Sequence, residues 1–254
     1  MTTPALSVKN LSKIYSENGI NAFSDLSFSV KRGEFVSIIG PSRCGKSTLF
    51  DILAGVTDQT SGTIEIHEKI ATQRKGKFGY MLQNPLLLPW RTVLQNVILG
   101  LDILRVSKSE CINKAKSVLK KFGLLEFANL YPDSLSGGMK QRVALIRTVL
   151  FQKDFLLLDE PFGALDALTR LNCQMWLQDI LKKINPTVLF ITHDVREAIF
   201  LSDTIYVLSP SPGKIIKKFE IEIPRPRQKK YLTSQNAIKL EQEILSILFK
   251  EKNL

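Results

Sequence analysis

Cysteine, histidine and long apolar runs are scarce in this chain, and each scarcity removes a class of protein. The three cysteines, Cys44, Cys111 and Cys173, are widely spaced and odd in number, so the thiols read as reduced and neither a disulfide framework nor a metal knuckle is expected. Of the two histidines, His67 follows a strand-like run on a turn with no second ligand at metal spacing, and reads as surface. No apolar run approaches the roughly 18 to 20 residues that span a bilayer. Met1-Thr2-Thr3-Pro4-Ala5 lacks the basic-then-apolar layout of a secretory leader, so the chain is expected in the cytosol or on the cytosolic face of a membrane. The sequence also has no internal repeat and no low-complexity tract, which removes the solenoid and linker classes.

What remains is an ordinary globular composition, 44% hydrophobic and 23% charged over 254 residues, enough for one large domain or two small ones. Lys and Arg number 35 against 24 Asp and Glu, a net charge of +11, which suggests an anionic partner. Part of the excess is local. Residues 214–254 carry ten Lys/Arg and five Asp/Glu, a net +5, which reads as a solvated basic face; specific nucleic-acid binding is not expected.

The stretch Gly40-Pro41-Ser42-Arg43-Cys44-Gly45-Lys46-Ser47-Thr48 reads G-x-x-x-x-G-K-[ST]. Before it, Phe35-Val36-Ser37-Ile38-Ile39 has the pattern of a buried strand, and after it Leu49-Phe50-Asp51-Ile52-Leu53-Ala54 has helical period. Strand, glycine-rich loop and helix together are what a phosphate-binding loop requires. Its backbone N–H groups converge where the helix N-terminus adds partial positive charge, so an anion belongs there. Lys46 would reach the β- and γ-phosphates, and the Ser47 hydroxyl would complete the oxygen shell of a Mg²⁺ ion. Arg43 stands where such loops often carry Gly, and a side chain at positive φ costs on the order of 1 kcal/mol. Either the loop tolerates the strain or the guanidinium recovers it on phosphate or a carboxylate. Cys44, inside the loop, reads as an inert core thiol.

Residues 6–11 and 23–30 alternate apolar with polar residues, the period of half-buried strands, with turn signals at Asn18-Gly19 and at Lys31-Arg32-Gly33. Tyr15 lies between them, placed either to stack on a purine or simply to pack. Residues 63–66 and 78–83 are further strand runs, and Gln83 closes the second, where its amide oxygen is free for a metal or a water. Asn84-Pro85-Leu86-Leu87-Leu88-Pro89-Trp90 fits neither helix nor strand, and such an apolar loop, when exposed, is a partner site. Helical spacing runs over 93–104 and 108–125, capped near Ser107 or Lys108.

Leu135-Ser136-Gly137-Gly138-Met139-Lys140-Gln141 precedes another helical run, and Ser-Gly-Gly opening a helix is a second anion-binding geometry. Residues 155–158 form a buried-strand run ending in two carboxylates. Asp159 suits the shell of Mg²⁺, and Glu160 suits polarising an attacking water. Residues 187–191 are a further apolar strand, with His193 just past its C-terminal end, the rim where parallel sheets place ligands. The stretch 215–223 pairs with a strand at 204–208. Pro224-Arg225-Pro226-Arg227 then stiffens a link to a weakly amphipathic helix over 234–250, with Ala237, Leu240, Ile244 and Leu248 on one face.

Taken in order, these motifs give the chain a close resemblance to the ATP-binding-cassette ATPases over residues 5–213. The resemblance implies an α/β ABC ATPase fold: a RecA-like phosphate-loop core, an N-terminal antiparallel β subdomain and an inserted helical subdomain at about 85–149. It divides the chain into an ATPase domain, 1–213, and a basic C-terminal extension, 214–254. It also implies roles. Tyr15 stacks on adenine, and the loop residues Gly40, Pro41, Ser42, Arg43, Cys44, Gly45, Lys46, Ser47 and Thr48 hold ATP. Ser47, Gln83 and Asp159 attend Mg²⁺; Glu160, His193, Lys46 and Gln83 carry the chemistry, His193 at the γ-phosphate. Ser136, Gly137 and Gly138 close over ATP held by a second copy in a head-to-tail homodimer, and Gln141 and Asp166 are further nucleotide-binding residues. The run Leu86-Leu87-Leu88-Pro89-Trp90-Arg91-Thr92-Val93 looks like the nitrate, sulfonate and taurine importer ATPases. That likeness implies a permease docking near Gln83 to Val93, a peripheral site on the inner membrane's cytoplasmic face and, indirectly, an extracytoplasmic solute-binding protein. Two other readings stay open: a cassette acting on nucleic acid or ribosomes, although this chain has neither the second cassette nor the coiled coil usual there, and a low-turnover regulatory cassette.

Overall fold

The computed structural model describes residues 3–16 and 19–252; of the turn expected at Asn18-Gly19, Asn18 lies outside them. The elements follow in the order β1 (Pro4–Tyr15), β2 (Ile20–Lys31), β3 (Phe35–Ile39), α1 (Lys46–Ala54), β4 (Ser61–Ile66), β5 (Lys69–Ile70) and β6 (Phe78–Met81). A helical stretch comes next: α2 (Val93–Val97), α3 (Leu99–Ile103), α4 (Lys108–Lys121) and α5 (Gly137–Leu150). The chain then returns to alternation with β7 (Phe155–Asp159), α6 (Ala167–Ile184), β8 (Thr187–Ile191), α7 (Val195–Leu201), β9 (Thr204–Leu208), β10 (Ile215–Glu220) and α8 (Gln235–Lys252).

Two sheets result. β2-β1-β4-β5 is antiparallel throughout, while β10-β9-β3-β8-β7-β6 is parallel except for the β9–β10 edge. Burial explains the division. β3, β7, β8 and β9 are buried at every position, as parallel strands covered on both faces must be. Successive residues feed opposite layers: Phe155 and Leu157 pack with α1, whereas Leu156 and Leu158 pack with α5 and α6. The helical stretch therefore builds no separate core; Val143, Ile146 and Leu177 share one cluster with Phe35, Leu158 and Phe190.

Several expected boundaries move. The helix expected over 93–104 splits at Ile98, where φ is −81° and ψ −5°, and α3 lies so close to α5's end that a Cβ on Gly100 would meet Phe151 at 2.7 Å. The helix expected to reach residue 125 stops at Lys121, because Gly123 takes the left-handed conformation (φ 64°) that ends a helix. The expected domain boundary at 213 falls between paired strands: β10 hydrogen-bonds to β9, and α8 buries Ala237 and Ile244 against Ile39, Ala198 and Val207.

The basic extension is not wholly a solvated face. Arg227 is 4% exposed and donates to the carbonyls of Ile199 (3.2 Å) and Phe200 (3.1 Å) near the end of α7, where a helix dipole favours a cation. Arg225 clamps Asp203 at 2.9 and 2.7 Å with two nitrogens. Two of the ten basic residues of this stretch, Arg225 and Arg227, thus pin the tail to the core.

Candidate functional site

All the parallel strands aim their C-terminal ends at one rim, and chain reversal there delivers the polar residues. Leaving β3, the loop turns through Arg43 (φ 68°) and Gly45 (φ 88°) into α1. Gly45 is obligatory: a Cβ there would stand 2.7 Å from the Ala22 carbonyl oxygen. Lys46, 8% exposed, folds back so that Nζ donates to the carbonyls of Gly40 (2.8 Å) and Pro41 (2.7 Å). The loop therefore keeps the shape of a phosphate cradle with an arginine in it. Cys44 is fully buried, and burial pushes its thiol above the usual range, consistent with an inert core thiol.

Next to this loop, the ends of β6, β7 and β8 converge. Glu160 Oε2 accepts from Gln83 Nε2 at 3.3 Å and lies 3.3 Å from His193 Nδ1. The Glu160 backbone is itself left-handed, φ 46°, held by its N–H on the Ile191 carbonyl at 2.9 Å. Strain of this kind in a non-glycine residue costs of order 1–3 kcal/mol and concentrates at functional positions. Gln141, 3% exposed, donates to the Glu160 carbonyl at 3.0 Å. So an amide and an imidazole meet at one carboxylate oxygen, in a cleft that Lys46 also lines.

These groups line a cleft of about 1030 Å³. Its lining includes Tyr15, Ile20, Lys46, Ser47, Glu160 and His193. Tyr15 Oη lies 3.4 Å from Thr48 Oγ1, and the ring, 37% exposed, is open to stacking. Three further wall residues, Leu245, Leu248 and Phe249, come from α8. Sequence reasoning found the helix and its apolar period, but no period tells which surface a helix will cover.

The residues also fit a divalent cation. Asp159 is 2% exposed with the Ser47 hydroxyl bonded to it, and burial raises its pKa to about 6, so charging that carboxylate calls for a cation. Among the described residues no group of three or more His, Cys, Asp or Glu could hold a metal. Two protein oxygens plus ligand phosphates is a donor set that suits Mg²⁺.

The other expected contacts lie elsewhere. The described residues that line the cleft do not include Ser136, Gly137, Gly138, Gln141 or Asp166. Ser136 and Gly137 are exposed, and Ser136 Oγ caps its own helix, accepting from Met139 N at 3.3 Å. Asp166 does the same for α6, accepting from Thr169 N at 3.0 Å.

The expected docking loop is exposed and stiff. Trp90 is 71% and Leu86 59% exposed. Beneath them, fully buried Asn96 donates to the carbonyls of Leu88, Arg91 and Thr92 at 3.0–3.1 Å. Arg147 of α5 donates to those of Pro85 (2.8 Å) and Leu86 (3.0 Å).

A phosphate cradle on a parallel sheet, with a carboxylate and a lysine at its rim, defines a nucleoside-triphosphate-binding ATPase core. The sequence model of the ABC transporter family matches residues 23–163. The chain is 39% identical over 243 residues to the aliphatic sulfonates import ATP-binding protein SsuB of Bacillus cereus, covering 94% of each chain. It is 38% identical over 251 residues to the nitrate import ATP-binding protein NrtD of Synechocystis, covering 96% of this chain and 94% of that one. A solved dimeric ATP-binding cassette in a post-hydrolysis state, bound to ADP and Pi, superposes with a TM-score of 0.77 at 30% identity, over 86% of this chain and all of that one. The chain belongs to the ABC transporter family, and is an ATPase cassette of it.

Proposed function

We propose that this chain is the ATP-hydrolysing subunit of an importer, working as a head-to-tail homodimer on a separate membrane permease. The observation that carries the reading is the meeting of Gln83, Glu160 and His193 at one carboxylate oxygen in the cleft that also holds Lys46. Glu160 takes the proton of the attacking water, Lys46 leaves its two carbonyls for the β- and γ-phosphates, and His193 bonds the γ-phosphate. Mg²⁺, held by Ser47 and Asp159, neutralises phosphate charge when bound. Tyr15 supports the adenine ring. The Ser136 turn of the second copy completes each site, with Gln141 and Asp166 positioning what surrounds it.

The loop from Gln83 to Val93 receives the permease, with Trp90 as its apolar anchor, and the subunit lies peripherally on the inner face of the membrane. Among the described residues no helix is long and apolar enough to cross it. The cargo class, a small anionic or organic solute such as a sulfonate or nitrate, is read from the relatives' names, and a solute-binding protein outside the membrane is its implied source. The test is reconstitution of the purified chain with the multi-span membrane protein that co-purifies with it. Solute uptake that requires ATP on the cassette side supports the reading; a cassette that neither binds nor hydrolyses ATP refutes it.

A further inference from the structure

Arg43 is the one arginine among the described residues that line the cleft, and it sits in a conformation that glycine would hold more cheaply. At φ 68° a side chain costs on the order of 1 kcal/mol relative to glycine. The loop's flanks are crowded as well: a Cβ on Gly45 would meet the Ala22 carbonyl oxygen at 2.7 Å, and one on Gly40 would meet Cys44 Sγ at 3.0 Å. The strain is thus retained around a long cationic side chain that a loop selected for shape alone would not carry.

That side chain is exposed and has no hydrogen bond or ion pair among the described residues. The other charged groups of the cleft are already engaged. Lys46 donates to two loop carbonyls, and Glu160 is shared between Gln83 and His193. A free guanidinium beside a cradle for a polyanion is matched to phosphate, because its planar fork pairs two phosphate oxygens at once.

The geometry points to Arg43 as a further nucleotide-binding residue, its guanidinium seated on the polyphosphate chain of the bound nucleotide, ATP or ADP. The inference rests on the ATPase reading above. Its contribution is made in the ground state, to substrate and product alike, so it lowers KM and slows ADP release without entering the chemical step. ADP retention then sets the pace at which the cassette resets, which makes residue 43 a determinant of turnover under product load.

Three variants separate charge from backbone. Arg43→Gln keeps the length and the strain but loses the charge; Arg43→Lys keeps the charge but not the fork; Arg43→Gly loses both side chain and strain. Binding of MgATP and of MgADP to the isolated chain is measured by calorimetry at low and high salt, alongside steady-state hydrolysis. Arg43→Gln is expected to weaken both nucleotides about tenfold at low salt and less at high salt, raise KM by a similar factor and leave kcat unchanged or higher. Arg43→Lys should recover part of the loss. Arg43→Gly should bind as weakly as Arg43→Gln while melting at a higher temperature, since the strain is gone. Wild-type affinity for both nucleotides in Arg43→Gln overturns the inference and leaves the ATPase reading intact. So does a loss confined to dimer formation, which would hand the guanidinium to a carboxylate of the second copy. A wild type that binds neither nucleotide overturns both.

Discussion

The cradle at Gly40 to Thr48 and the turn at Ser136 are both anion-binding geometries at helix N-termini, yet the structure treats them oppositely. Around the cradle Lys46 is buried on carbonyls, the Ser47 hydroxyl bonds to Asp159, and Glu160 is shared between Gln83 and His193, with the Arg43 guanidinium as the exception. At the turn, Ser136 and Gly137 are exposed, and the hydroxyl is occupied only with capping its own helix. A partnered half and an open half in one chain suit the head-to-tail homodimer proposed above, whose two-fold axis would supply both completions at once.

The largest effect expected from this contrast is loss of hydrolysis from either half alone. Glu160→Gln should still bind ATP, hold the closed dimer and slow turnover by at least about 10²-fold, as loss of a general base does; near-normal hydrolysis would remove Glu160 from its role. The halves are told apart by mixing. Lys46→Ala damages the cradle and Ser136→Arg the turn, so each homodimer has two dead sites. A mixed dimer has one doubly damaged site and one intact site. An equimolar mixture should therefore recover on the order of a tenth to a quarter of wild-type hydrolysis. Were the turn to serve its own chain's nucleotide, the mixture would stay as inactive as its components.

A smaller effect is expected at the third region, the proposed docking loop, which is exposed like the turn and held from beneath by Asn96 and Arg147. That leaves Trp90 as an aromatic anchor of the kind that dominates interfaces. Trp90→Ala should leave basal hydrolysis unchanged and cut permease-coupled uptake about tenfold. Unchanged uptake in proteoliposomes would place the permease elsewhere.

How much of this could be read beforehand follows the same division. That the cradle, Gln83, Glu160 and His193 share one rim was legible because strand, turn and helix signals fix which end of a strand a residue occupies, and parallel strands bring those ends together. That Gln141 faces the Glu160 carbonyl was not legible, since it depends on the rotation of α5 against the sheet. Nor was the path of residues 214–254. Composition saw basic residues and a Pro-Arg-Pro-Arg link, but whether an arginine faces water or a helix end depends on where the chain returns. The wall made by Leu245, Leu248 and Phe249 has the same origin in a long-range docking.

The smallest expected effect concerns a buried joint between the two halves. Glu197, 6% exposed, accepts from Thr192, just before His193, at 2.6 Å and from Gln174 of α6 at 3.2 Å. Arg170, which donates to the Leu165 carbonyl beside Asp166, lies 3.7 Å from it. Burial raises the pKa of Glu197 to about 7, with the Thr192 hydroxyl opposing that shift. A carboxyl whose folded pKa lies above its unfolded value near 4.3 favours the protonated native state. Stability should therefore fall as pH rises from about 4.3 to about 7 and level off beyond. Glu197→Gln keeps an acceptor for Thr192 and cannot ionise, so its advantage over wild type should grow across that window to about 2 kcal/mol, or roughly 5 °C in melting temperature, at pH 8. Melting curves of the two proteins that run parallel from pH 5 to pH 8 would show that Glu197 stays ionised in the fold, and that the joint is a standing ion pair with Arg170.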